Sequence, residues 1–235
     1  MGLGLPVTFA VAMAAGAVLS IVAATWLYGA REEHVPAAEK VAAHVPWRAI
    51  LPLCLAMAAL YVGDASVSNF GSVYMERVLG SSAAVVPLAL AAYQATTFLV
   101  RVGGDFAVRR YGPAAIVRLG GAVAVLGFAG IVLAPAEPVA IVAFGLTGIG
   151  LSVVAPQSFA AAGRLDPAGS GVAIARVNMF NYVGFIVGAA LVGGIAEAAD
   201  YRVAFAAPLA LAALIVLLAR GFQPIRGTAA APASP

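Results

Sequence analysis

The stretch Arg101–Pro113, RVGGDFAVRRYGP, sets three arginines and one aspartate between two long apolar runs. The twenty residues before it, 81–100, carry no charge, and the twenty-two after it, 114–135, carry only Arg118. Charge gathered this tightly marks a place where the chain leaves an apolar solvent. Composition agrees: the 235 residues are 63% hydrophobic and 10% charged, with a mean hydropathy of +1.01. Soluble domains carry about 25% charged residues, so this chain has too little polar surface to face water and reads as an all-α integral membrane protein.

A bilayer core takes about 20 apolar residues in a helix. The sequence holds seven such runs, at about 5–28, 50–71, 83–103, 114–135, 139–163, 172–196 and 203–219. The first lacks the basic flank of a signal peptide and is long for a signal core, so it is taken as a span. The domain reading that follows is a first transmembrane helix in 1–30, a cytoplasmic linker in 31–47, a six-helix block in 48–222 and a disordered cytoplasmic tail in 223–235.

The excess base, pI about 9.3, suits topology better than nucleic acid, and no nucleic-acid partner is expected. When the gaps between spans are assigned alternately to the two sides, Arg31, Lys40, Arg48, Arg101, Arg109, Arg110, Arg118, Arg164, Arg176, Arg220 and Arg226 fall on one side. Arg77 and Arg202 fall on the other. The cation-rich side is cytoplasmic, which places the N-terminus outside and the C-terminus in the cytoplasm. The one cysteine, Cys54, lies in an apolar run and supports neither a disulfide framework nor a metal cluster. His34 and His44, ten residues apart in the linker, read as solvated side chains. No metal and no cofactor are expected.

Polar residues inside spans are costly and tend to face a cavity or another helix. Tyr61, Asp64, Ser68 and Ser72 recur every three or four residues and share a face of the second span. Tyr93, Gln94, Thr97 and Arg101 form a stripe on the third. Thr147, Ser152, Gln157 and Ser158 flank Pro156 on the fifth, and Asn178, Asn181 and Tyr182 lie on the sixth. The fourth and seventh are bare apart from Arg118. Four helices thus read as lining something polar, and two as peripheral. The candidate lining residues are Tyr61, Ser68, Asn69, Tyr93 and Gln94, with Thr97, Gln157, Asn178, Asn181 and Tyr182 from the later part of the chain. Asp64 is the sharpest of these positions. An acid deep in a span costs about 2.5–3.5 kcal/mol, so it reads as a proton carrier or a cation partner; a buried structural pair, or an acid close enough to the outer interface to stay wet, is the alternative. Arg176, near the inner end of its span, reads as snorkelling to the interface. Gly184 and Gly188 form a small-xxx-small pair that points to close helix approach.

The order Gly104, Asp105, Arg109, Arg110, Gly112 resembles the signature loop of major facilitator superfamily transporters, a glycine and an aspartate followed by basic residues and a glycine. Phe106 stands where a basic residue commonly follows the aspartate, as suits the more degenerate copy in the second half of such proteins. GIGLSVVAPQSFAAAGRL (148–165) resembles the tenth helix of that family, and ARVNMFNYVGFIVGAALVGGIAE (175–197) the eleventh. GDASVSNFGSVYMERVLGSS (63–82) resembles the seventh helix of its YbjJ-type bacterial branch, which carries acids at the positions of Asp64 and Asn69; the second acid is absent here. The resemblance implies helices seven to twelve over about 46–222, with the first span as helix six. It also implies a secondary transporter of a small solute working by alternating access, with proton coupling as one option. The first five helices, or a second chain, would be needed to complete the cavity. As a cytoplasmic loop, 101–113 would let helix ends meet at its glycine pair. Asp105 would cap the next helix or pair with a base, and Arg109 and Arg110 would reach lipid phosphates. The cluster then acts either as a latch on one access state or as a topology signal alone. A membrane scaffold of the same fold without transport is the rival reading. No H-E-x-x-H, G-x-S-x-G or Walker loop is present, so neither an enzyme nor an ATP-driven pump is expected.

Overall fold

The computed structural model describes residues 5–27, 45–166 and 169–223; most of the expected linker, both histidines and nearly all of the expected tail lie outside the described residues. The described residues are helices joined by short turns. The chain divides into two units, 1–40 and 41–235. In the first, α1 (Leu5–Leu27) runs 23 residues, about 35 Å at 1.5 Å per residue, and Ser20 and Thr25 return their hydroxyl protons to its own carbonyls.

The second unit is the six-span block. Its helices are α2 (Trp47–Leu79), α3 (Val86–Tyr111), α4 (Pro113–Leu133), α5 (Glu137–Ser152), α6 (Val154–Leu165), α7 (Val172–Ala198), α8 (Tyr201–Ala204) and α9 (Ala206–Leu218), closed by a 3₁₀ turn at Ala219–Phe222. Among the described residues, five segments are long and apolar enough to cross a membrane: α2, α4, α5 with α6, α7, and α8 through the 3₁₀ turn. The expected third span is α3, 26 residues long, which falls outside that set.

The breaks have a common cause. Proline has no N–H for the carbonyl four residues back. Pro156 leaves Ser152 unserved, and the fifth span divides at Val153; Pro208 leaves Ala204 unserved, and the seventh divides at Phe205. Pro52 does the same to Arg48 inside α2, which nevertheless runs on through its N-terminal turn.

The stretch expected to be a loop is helix. α3 continues to Tyr111 and stops only at Gly112, whose φ of +81° is open to glycine at little cost, and Pro113 begins α4 directly. Charged residues end the membrane without ending the helix, because arginine is a good helix former. A Cβ placed on Gly103 would meet nothing within 4 Å, so the expected close helix contact at that glycine is not formed. Gly104 and Asp105 have helical backbone; their side chains lie outside the described residues. Arg109 and Arg110 are exposed, with Arg110 over the ring of Tyr111 at 5.5 Å.

α2 is the centre of the bundle, with α7 and α9 packed along it and α5 linking α3 to α4. The α2–α7 contact is built on glycine. A Cβ on Gly184 would lie 2.5 Å from the Ala58 carbonyl oxygen, and one on Gly188 would lie 2.7 Å from Val62 Cα. At the far end of α2, Tyr74, Phe128, Phe144 and Phe205 are fully buried against one another. The Tyr74 phenol donates to the Ile131 carbonyl at 2.5 Å. Arg202 donates to Val132 and Ala134 at 3.0 and 2.7 Å, satisfying carbonyls that α4 leaves free at its C-terminus.

Candidate functional site

Asp64 lies 17 residues into α2, about 25 Å along its axis. It is half-buried, and its Oδ1 accepts a 2.6 Å hydrogen bond from the hydroxyl of Tyr93 on α3. Tyr93 is 2% exposed, so this bond is made away from bulk solvent, where an unpaired polar group is expensive. Tyr61 stands one turn before Asp64 on the same face of α2.

α3 is held in place by hydroxyls. Thr96 donates to the Gly145 carbonyl at 2.9 Å and Thr97 to the Gly148 carbonyl at 3.4 Å. Both acceptors are glycines of α5, and a Cβ on Gly148 would strike the Tyr93 carbonyl and the Thr96 hydroxyl. Glycine here lets α3 and α5 approach until side-chain hydroxyls reach backbone carbonyls. That packing sets Tyr93 opposite Asp64.

Next to this pair, α2, α3 and the α5–α6 break enclose a half-open cavity of about 420 Å³. Tyr61, Arg101, Ser152, Pro156 and Gln157 line it, with Phe159 among the apolar walls. The break matters chemically. Pro156 frees the Ser152 carbonyl from the helix, and irregular backbone within a span is tolerated where it lines a cavity. The volume falls in the range of small-molecule sites.

Of the residues expected to line a cavity, Tyr61 and Gln157 do so. Tyr93 and Thr97 are buried behind it, bonding Asp64 and α5. Ser68, Asn69 and Gln94 are exposed on α2 and α3, and Asn69 donates to its own Ala65 carbonyl. Asn178 and Asn181 are half-exposed on α7 and Tyr182 is 62% exposed; these three do not reach the cavity. Arg101, from the polar stripe of the third span, also lines the cavity and brings a positive charge to the wall. Arg176 does not simply snorkel: it donates to the Val45 carbonyl at 2.7 Å and lies 4.5 Å over the Trp47 ring, fastening α7 to the start of α2. Thr96 was missed by the sequence reading; its place next to Thr97 offered no helical period to single it out. Asp166 was also missed, although D-P-A-G-S at a helix junction is a turn signal. Its carboxylate accepts from the Ser170 amide at 3.1 Å and the Ser170 hydroxyl at 2.8 Å. Desolvation in this turn acts to raise its pKa, but these bonds and those from the first amides of α7 outweigh it and hold the carboxyl below the usual range.

Comparison with known proteins follows the same lines. A transporter of Sinorhizobium fredii, "Uncharacterized transporter y4wD", is 34% identical over 160 residues, which is 67% of this chain and 42% of that protein. "Membrane protein MosC" of Rhizobium meliloti is 26% identical over 137 residues, 58% of this chain and 34% of its own length. "Uncharacterized MFS-type transporter YttB" of Bacillus subtilis is 28% identical over 160 residues, 68% of this chain and 40% of its own. The chain thus spans about two fifths of the length of the curated relatives it matches. The family profile described as Major Facilitator Superfamily matches residues 53–235, nearly all of the six-helix block with its cavity and its half-buried acid: the chain belongs to the Major Facilitator Superfamily.

Proposed function

We propose that this chain is the C-terminal half-bundle of a secondary transporter that moves a small polar solute across a bacterial inner membrane by alternating access. In this reading the bundle works against a second six-helix half, supplied by a longer chain or by a partner chain. The solute site lies between the halves near the midplane. The exposed polar residues Ser68, Asn69 and Gln94 support that arrangement, because such groups are costly against lipid and favourable against water or protein. Arg101, Tyr61 and Gln157 supply donors for acceptor groups on the solute. The N-terminus lies outside and the C-terminus in the cytoplasm, following the cation bias. Asp105, Arg109 and Arg110 form a latch at the inner end of α3, so Asp105→Asn should slow transport while membrane insertion is kept. Full transport in that variant would leave the cluster a topology signal.

The observation that carries the proposal is the mid-span bond between Asp64 and Tyr93. A carboxylate that holds a phenol across two helices can release it on protonation and so couple a proton to a change of helix packing. The test is Asp64→Asn in the complete transporter, reconstituted in vesicles with an imposed proton gradient. Loss of uphill accumulation with exchange preserved is the expected result. Loss of both with normal protein level reassigns Asp64 to solute binding, and loss of folded protein reduces it to a structural partner.

A further inference from the structure

A second cleft, of about 250 Å³, opens where the start of α2, the end of α6 and the 3₁₀ turn meet. It is separate from the transport site and shares no lining residue with it. Two guanidiniums, Arg48 and Arg164, and the amide of Gln223 line it, over a floor that includes Ala49, Pro52 and Leu165. No acid is among the described residues that line it. The acid two residues beyond Arg164, Asp166, is taken up by Ser170. Arg164 is steadied by its bond to the Phe222 carbonyl at 3.4 Å. Pro52 leaves the Arg48 carbonyl without its helical donor, so the rim offers an acceptor beside two cations.

The level of the cleft is marked by Trp47, half-exposed and adjacent to Arg48, with the Arg176 guanidinium over its ring. Tryptophan concentrates at the headgroup level of a bilayer. A basic pocket between helix ends at that depth, with an apolar floor, matches a lipid headgroup with its acyl chains alongside. We propose that this cleft binds the phosphodiester of an anionic phospholipid. Arg48 and Arg164 fork onto the phosphate oxygens, and the free Arg48 carbonyl accepts from a headgroup hydroxyl. The lipid then ties the first turn of α2 to the ends of α6 and the last span.

The full chain, purified in neutral detergent, would be examined by native mass spectrometry with phosphatidylglycerol, phosphatidylcholine or inorganic phosphate. Phosphatidylglycerol should be retained in preference to phosphatidylcholine. Arg48→Gln with Arg164→Gln should weaken that retention about twenty-five-fold, at about fivefold per arginine. Arg77→Gln with Arg118→Gln removes the same charge at exposed sites that do not line the cleft and should leave it unchanged. Gln223→Glu, an exposed change that places an anion in the cleft, should also weaken retention and carries the test if the double variant does not fold. Equal loss in the Arg77 and Arg118 pair, or wild-type retention in both cleft variants, would overturn the site. Binding of inorganic phosphate without phosphatidylglycerol would overturn the lipid assignment.

Discussion

Gly184→Ala tests the packing that holds α7 on α2, and the structure supplies its own control. At Gly184 the new methyl would lie 2.5, 2.9 and 3.0 Å from the oxygen, Cα and carbonyl carbon of Ala58, all backbone atoms. Contacts of that kind cannot be relieved by turning a side chain, so α7 must move away along several turns. At Gly194, in the same helix, the methyl would meet nothing within 4 Å. Both changes gain helix propensity, about 1 kcal/mol for glycine to alanine. Only Gly184→Ala bears the overpacking term, about 1–3 kcal/mol. The two variants should therefore differ by about 2 kcal/mol, with Gly194→Ala at or above wild type and Gly184→Ala below it. At about 2–4 °C per kcal/mol for a chain of this size, thermal unfolding in detergent should separate them by about 4–8 °C. Adding Gly188→Ala, whose methyl would lie 2.7 Å from Val62 Cα, should widen the gap. Gly184→Ala as stable as Gly194→Ala would refute the close approach of α2 and α7.

Arg202→Gln removes the guanidinium that donates to Val132 and Ala134; hydrogen bonds to charged groups contribute about 1.5–3 kcal/mol each, so a melting loss of several degrees is expected, and an unchanged melt would leave the end of α4 satisfied by other means. Asp166 has a lowered pKa in the folded chain, so its contribution is present above the unfolded value of about 4 and is lost as pH falls through the folded one. Asp166→Asn should thus melt below wild type at pH 6, and the difference should close as the acid titrates; a constant difference down to pH 3 would remove Asp166 from the acid response. Reporter fusions at Val108 should read as cytoplasmic and those at Gly80, Ala136 and Ala199 as external, and two reversed sites would overturn the orientation read from the arginines.

Much of the bundle is legible along the chain because hydropathy and charge are one-dimensional. Each apolar run of about 20 residues must satisfy its backbone internally in lipid, which leaves a helix as the outcome. The helices were therefore expected nearly where they stand, and the Gly184 and Gly188 pair marked a contact that α2 fills. The family resemblance too rested on local order. The ends were harder. Charge at 101–110 marks where the membrane stops, but helix propensity carries α3 on to Gly112, and a hydropathy reading merges those two boundaries. What only the tertiary structure decided is partnership. Asp64 and Tyr93 are 29 residues apart in sequence and 2.6 Å apart in space, because Thr96 and Thr97 dock on the glycines of α5. Arg202 could not be matched to the end of α4, nor Arg48 to Arg164, from spacing alone. Periodicity gives the face on which a side chain stands; which helix comes to meet that face depends on how small residues let backbones close, and that is settled by all the contacts together.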